Sequence, residues 1–254
     1  MNVALALDVV KFELQRSLTI GRIAIWIILT MFPVALMTVL RINVADTDPE
    51  PWGLILYFLV PEVICLLGLL LWATPVLSTE IEGQTWIYLA MRQSGRGMVI
   101  VGKYLTAVLW SLSAALVSTT MCIAVMGPVG GLKLWLVMSI LCVLSAFAHA
   151  SLYVLIGTFF FRRTMVTAVF YTLAIEYGLS LVPALANKLT INYRLRGLLA
   201  DWMDWEKARS VAENVFGSEP AFVHVGILAA MSVLLLGIAM IRIARSEFPT
   251  QQEG

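Results

Sequence analysis

The sequence predicts an all-α integral membrane protein: six transmembrane helices preceded by an N-terminal amphipathic interfacial helix. Three observations predict it. Hydrophobic residues make up 60% of the 254-residue chain and charged residues only 13%, with a mean hydropathy of +0.90. A water-soluble domain carries about 25% charge, so this chain has too little polar surface to cover itself in water. Its apolar residues fall into runs near the ~20 residues that a helix needs to cross a bilayer, and Lys and Arg gather in alternate loops between those runs. The net charge of +1 gives no whole-chain argument for nucleic acid. Cys65, Cys122 and Cys142 lie in apolar runs at spacings unlike a zinc motif, and read as buried free thiols.

The elements follow in order. Residues 3–20 put Val3, Leu7, Val10, Leu14 and Leu18 on one helical stripe, with Lys11, Glu13 and Arg16 off it. That pattern predicts a helix lying along the membrane surface. The segment lacks the early apolar core and small-residue cleavage site of a signal peptide. The first span, 23–40, is free of charge. The second, 52–77, is interrupted only by Glu62, just after Pro61. The third, 104–126, is free of charge, and the fourth, 134–161, carries His149 and is long enough to tilt or to extend past the membrane. The fifth, 164–186, contains Glu176, and the sixth, 220–241, contains His224.

Orientation follows from the basic residues. One side carries Lys11, Arg16, Arg22, Arg92, Arg96, Lys103, Arg162, Arg163, Arg242 and Arg245; the short loops opposite carry only Arg41 and Lys133. Both termini are therefore expected in the cytoplasm, with the chain in the plasma (inner) membrane.

Two loops are more than connectors. In the inside loop, 78–103, Glu80 and Glu82 precede a short helix whose apolar side would be Trp86, Ile87, Leu89 and Ala90. Arg92 closes that helix, so its charges match the helix dipole at both ends. Gly95 and Gly97 are expected to break the chain before Lys103, and the loop reads as a docking surface for a cytoplasmic partner. The stretch from Gly97 to Gly102, Lys103 and Tyr104 approaches a phosphate-binding loop, but Tyr104 stands where a magnesium-binding hydroxyl is required and a membrane helix follows. The outside segment, 187–219, spaces Leu195, Leu198, Leu199, Trp202 and Trp205 helically, with Arg196, Asp201, Asp204 and Glu206 between them. This is an amphipathic helix that either caps the mouth of a pathway or anchors in the headgroup layer.

A charge at the bilayer centre costs about 2.5–3.5 kcal/mol on insertion scales, so Glu62, Glu176 and His149 are pathway candidates, as relay or substrate contacts. The alternative is that the carboxylates are protonated or paired within the bundle. For Glu176 a position facing a second subunit is a further expectation. His149 lies on a small-residue face with Ala146, Ala148, Ala150 and Ser151, which favours core packing, and His224 lies near an interface. No HExxH or ExxH pair offers a metal site, and no spacing offers a catalytic constellation.

In this order of features the chain resembles the permease subunits of ABC-2 type ABC transporters. Glu80, Glu82, Gly83, Thr85, Leu89, Arg96, Gly102 and Lys103 follow the family's inside-loop pattern in order, with Gln84 inserted and Ser94-Gly95 where a proline often stands. The fifth span with Glu176 and Pro183, followed by a re-entrant or interfacial segment, resembles the family as well. The resemblance implies a half-transporter, most often an exporter. A second copy or homologue of the permease would complete the pathway, and separate ATPase subunits, which hold the ATP and magnesium, would dock on the loop residues Glu80, Glu82, Gly83, Thr85, Arg92, Arg96 and Lys103. It leaves room for an accessory extracytoplasmic protein and implies no cofactor in this chain and no enzymatic activity of its own. The competing reading is a proton-coupled secondary transporter using Glu62 and Glu176; such folds usually carry internal repeats, and none is evident between the two halves.

Overall fold

The computed structural model describes residues 3–44, 48–82, 95–179, 185–209 and 217–245. Among these, every regular element is helical. Helix α1 (Val3–Ser17) leads to α2 (Ile20–Asn43), whose first turn is capped by Thr19 accepting from the Arg22 amide at 3.4 Å. Asp48 caps α3 (Pro49–Tyr57) by accepting from the Glu50 amide at 3.1 Å. The helix continues through a π turn, Phe58–Ile64, into α4 (Cys65–Trp72) and, after a tight turn, α5 (Ser78–Glu82). Then come α6 (Gly95–Met126), α7 (Leu132–Phe159) and α8 (Thr164–Tyr171), the last running into a second π turn, Thr172–Tyr177. Helices α9 (Ile191–Met203) and α10 (Ala221–Arg245) complete the order.

Among the described residues, five helical runs are long and apolar enough to cross a membrane: Ile20–Asn43, Pro49–Glu80, Gly97–Met126, Leu132–Phe159 and Ala221–Arg245. Their burial sorts them into layers. The apolar window of Leu132–Phe159 is 72% buried and that of Pro49–Glu80 is 67% buried, against 22% for Ile20–Asn43 and 17% for Ala221–Arg245. The first pair is the centre of the bundle; the second pair presents Ile28, Phe32, Val233 and Leu234 outward. An apolar surface of that extent is incompatible with water, and this is a membrane protein.

Close helix approach is purchased with small residues. A Cβ on Gly102 would lie 2.4 Å from Val9 Cγ1, so α1 rests against α6 at that glycine. Ser17 locks the contact, accepting from the Trp110 indole N–H at 2.7 Å.

Several expectations are corrected. Gly95 and Gly97 do not break the chain: they open α6, which places Lys103 within a long helix and not at its start. Glycine costs a helix only about 1 kcal/mol against alanine, which the length of α6 outweighs. The fifth span, expected over 164–186, is a shorter apolar helix, Thr164–Tyr177, and alone it falls short of a ~30 Å hydrocarbon core; residues 180–184 lie outside the described residues. The helix expected to lie along the interface ends at Ser17, so Leu18, expected on its apolar stripe, lies beyond it and is exposed. The short helix expected around Trp86–Ala90, with Gly83, Thr85 and Arg92, also lies outside the described residues, as do the side chains of Glu82 and Arg96.

Candidate functional site

Glu62 and Glu176 both stand in π turns. Pro61 has no amide hydrogen, so an α-helical register through it would leave a carbonyl without its donor. The widened turn resolves this, with the Cys65 amide reaching back to the Val60 carbonyl. Neighbouring helices add hydrogen bonds to carbonyls at the turn: Ser145 on α7 donates to Pro61 O at 2.9 Å, and Ser111 on α6 donates to Cys65 O at 2.9 Å. In hydrocarbon such groups must be satisfied internally. The second π turn does the same around Glu176, with the Gly178 amide donating to Leu173 O at 3.0 Å.

The two turns aim their acids at one helix. Glu62 is fully buried and receives both arms of Arg196 on α9, Nε to Oε1 at 3.0 Å and Nη2 to Oε2 at 3.4 Å. Glu176, 1% exposed, accepts from the Ile191 amide on Oε1 at 3.3 Å and from the Asn192 amide on Oε2 at 3.0 Å. Those are the first amides of α9, which lack partners within the helix, and a carboxylate there also meets the positive end of the helix dipole. Thr190 caps the same end by accepting from the Tyr193 amide at 3.3 Å.

Helix α9 is therefore inserted into the bundle. Ile191, Tyr193, Leu195, Leu198 and Leu199 are buried, and a Cβ on Gly197 would lie 2.6 Å from the His224 ring on α10. This corrects the headgroup-anchor expectation. Trp205 leaves the helical stripe altogether: Asp204 terminates α9 in the left-handed region at φ 61°, and Trp205 turns back onto Gly53 of α3. Glu176 is turned toward α9, which overturns the expectation that it faces a second subunit.

The outer rim of α9 carries a further charge cluster. Glu219 pairs with Lys188 at 2.8 Å and with Arg194, which also donates from Nε to Lys188 O at 2.9 Å. Hydrogen bonds from Lys188 and then Arg194 hold the Glu219 carboxyl down at about 2, and the same contact holds the Lys188 ammonium above its usual value. Arg209 reaches Asp201 at 3.2 Å.

His149 is fully buried on α7. Its Nδ1 lies 3.0 Å from Ser145 O and 3.2 Å from Ser145 Oγ, and its ring stands 6.2 Å from that of Tyr153. It braces the serine that supports the first π turn, and makes no hydrogen bond to either glutamate. Of the three intramembrane candidates, the structure brings Glu62 and Glu176 together on α9 and keeps His149 behind them.

At the opposite end of the bundle, Lys103 and Glu80 form a buried ion pair. Lys103 also donates to Val76 O and Thr79 Oγ1, each at 3.4 Å, and Arg16 on α1 stands 3.8 Å from Glu80. The first and last charged residues of the inside-loop pattern thus meet, and α1 joins them.

Arg196 is the site residue that spacing arguments missed. An acid inside a span demands a partner, and Arg196 was one of five basic residues in the outside segment, yet Glu62 and Arg196 are 134 positions apart. Among the described residues no three His, Cys, Asp or Glu side chains gather as a metal site requires.

These features define a class: an all-helical membrane protein whose central bundle grips an inserted amphipathic helix through two buried carboxylates. No protein-family model matches the chain, and no curated protein matches it either.

Proposed function

We propose that this chain is the membrane-spanning permease subunit of an ABC transporter of the ABC-2 type, an exporter. It pairs with a second permease and with separate ATPase subunits that bind ATP and magnesium, and crosses the membrane six times with both termini in the cytoplasm. The observation that carries this reading is the Arg16–Glu80–Lys103 junction. It ties the surface helix α1, the start of the inside loop and the long helix α6 at one point. A force on the loop from a docked ATPase subunit therefore moves three elements together. The inserted helix α9 supports the same reading, because it closes the far end of the bundle and is held by ionic contacts that can be broken and remade.

The secondary-transporter reading is less well supported. Glu62 is committed to Arg196 and Glu176 to two backbone amides, so neither carboxylate is free to shuttle a proton without releasing α9.

The test is purification of the tagged full-length chain with its ATPase subunit, comparing wild type with Lys103→Met, which removes the cation without adding a second buried carboxylate beside Glu80. Wild type should hold a stoichiometric ATPase whose activity responds to the permease, and the variant should lose that response while still melting cooperatively. A chain that holds no ATPase subunit, and instead moves solute in proportion to an imposed proton gradient, overturns the reading.

A further inference from the structure

A cleft of about 50 Å³ lies beneath α1, between the start of α2, the end of the Pro49–Glu80 helix and α6. Its floor is aromatic and ordered. The rings of Trp72 and Trp110 stand 5.7 Å apart at 34°, and the Trp110 indole is fixed by its hydrogen bond to Ser17. Lys103 lines the floor but is already neutralised by Glu80. Two other charges line the walls, Glu13 from α1 and Arg22 from α2. Among the described residues the Arg22 guanidinium and the Glu13 carboxylate make no ion pair, with each other or with any neighbour. The cleft thus offers one uncommitted cation and one uncommitted anion above a tryptophan floor, at the end of a bundle whose flanks are bare hydrocarbon.

This arrangement fits a zwitterion attached to an apolar tail. A guanidinium binds phosphate oxygens, and a carboxylate accepts hydrogen bonds from a primary ammonium. Tryptophan belongs at the depth where headgroup meets acyl chain. A quaternary ammonium has no hydrogen to donate to Glu13, and a glycerol headgroup brings it no positive charge. We propose that this cleft binds the headgroup of an ethanolamine-type phospholipid, its phosphate on Arg22 and its ammonium on Glu13. The proposal rests on the bilayer placement of the α1 end and not on the transporter reading.

The test uses the full-length chain in bilayer discs holding equal parts of phosphatidylethanolamine, phosphatidylcholine and phosphatidylglycerol. Lipids retained after gentle extraction are counted by native mass spectrometry. Wild type should retain the ethanolamine lipid over each of the others by about fivefold, the scale of one partly exposed ion pair. Glu13→Gln should bring ethanolamine retention down to the choline level, and Arg22→Gln should lower retention of all three. Among the described residues neither side chain has a partner to lose, so both variants should fold, and thermal melting checks this. Added ethanolamine lipid should raise the wild-type melting temperature and leave both variants unmoved. Equal retention of the three lipids, preference for the glycerol lipid, or an ethanolamine preference that survives Glu13→Gln would each overturn the proposal.

Discussion

The two ends of the bundle manage buried charge in different ways. At the α9 end, two acids from two π turns converge on one inserted helix, and each carboxylate has both oxygens engaged, Glu62 by the arms of Arg196 and Glu176 by two amides. At the α1 end, one lysine and one acid meet in a junction that borders a cleft, with Arg16 more distant and 61% exposed. The first is a clamp in which release of one contact strands a charge in the interior. The second is a joint whose pair is also buried, but which has a second, exposed cation, Arg16, at hand to take up part of what is lost. On the proposed transporter reading, the joint is where motion enters and the clamp stays shut until enough has accumulated.

Breaking the clamp should have the largest effect. Arg196→Leu leaves Glu62 as an unpaired buried carboxylate, a change that costs about 3–5 kcal/mol, and the yield of folded protein should collapse. Adding Glu62→Gln should restore much of that loss, and a double-mutant cycle scored by thermal melting measures the coupling. If the two losses simply add, the pair is not the clamp described. Glu176→Leu should also destabilise, by about 1–3 kcal/mol from two amides losing their acceptor, whereas Glu176→Gln keeps one acceptor oxygen and should cost less.

Overpacking the seat of α9 comes next. Gly197→Ala drives a methyl into the His224 ring, and a crowded core site costs about 1–3 kcal/mol. The companion change His224→Ala should rescue it, and failure of that rescue would dissociate α9 packing from α10. Opening the joint should cost less stability and more coupling. Lys103→Met takes away one partner of Glu80 but leaves the longer Arg16 contact, so melting should fall by less than in Arg196→Leu, and on the proposed transporter reading the response of the ATPase subunit should be lost.

The smallest effect is that of acid on the rim. The Glu219 carboxyl sits at about 2 in the folded chain against an ordinary 4.5, so the stability it contributes is complete above about pH 4.5 and drains away as pH falls toward 2. Melting curves between pH 3 and pH 6 should show this slope in wild type and a flatter one in Glu219→Gln.

Much of the bundle was legible in the sequence because hydrocarbon imposes a coarse rule. The runs around Leu29, Leu69, Leu116, Leu141 and Leu235 announce helices by composition alone. Glu80 and Lys103 were singled out from their loop pattern, and the structure joins them. The clamp was not legible, since pairing Glu62 with Arg196 depends on how α9 folds back, and the π turns leave no trace in hydropathy. Gly95 and Gly97 misled: read as breaks, they simply begin α6, while Gly102 makes room for Val9.

The π turns carry one further consequence, which concerns phase. Each regular α-helical residue advances the helix by about 100° and 1.5 Å. Removing one residue between Phe58 and Glu62 would let the helix revert to regular winding through that stretch. A π turn holds one residue more than an α turn, so the surplus is absorbed where it stands and the helix beyond would keep nearly its present bearing. Gly68 and Trp72 would stay against Ser111 and Trp110, their present neighbours on α6, while the residues inside the turn would shift and Glu62 would lose its aim at Arg196. The surplus residue is thus a local device: it turns Glu62 toward α9 and leaves undisturbed the angle at which the cleft beneath α1 receives its tryptophan floor.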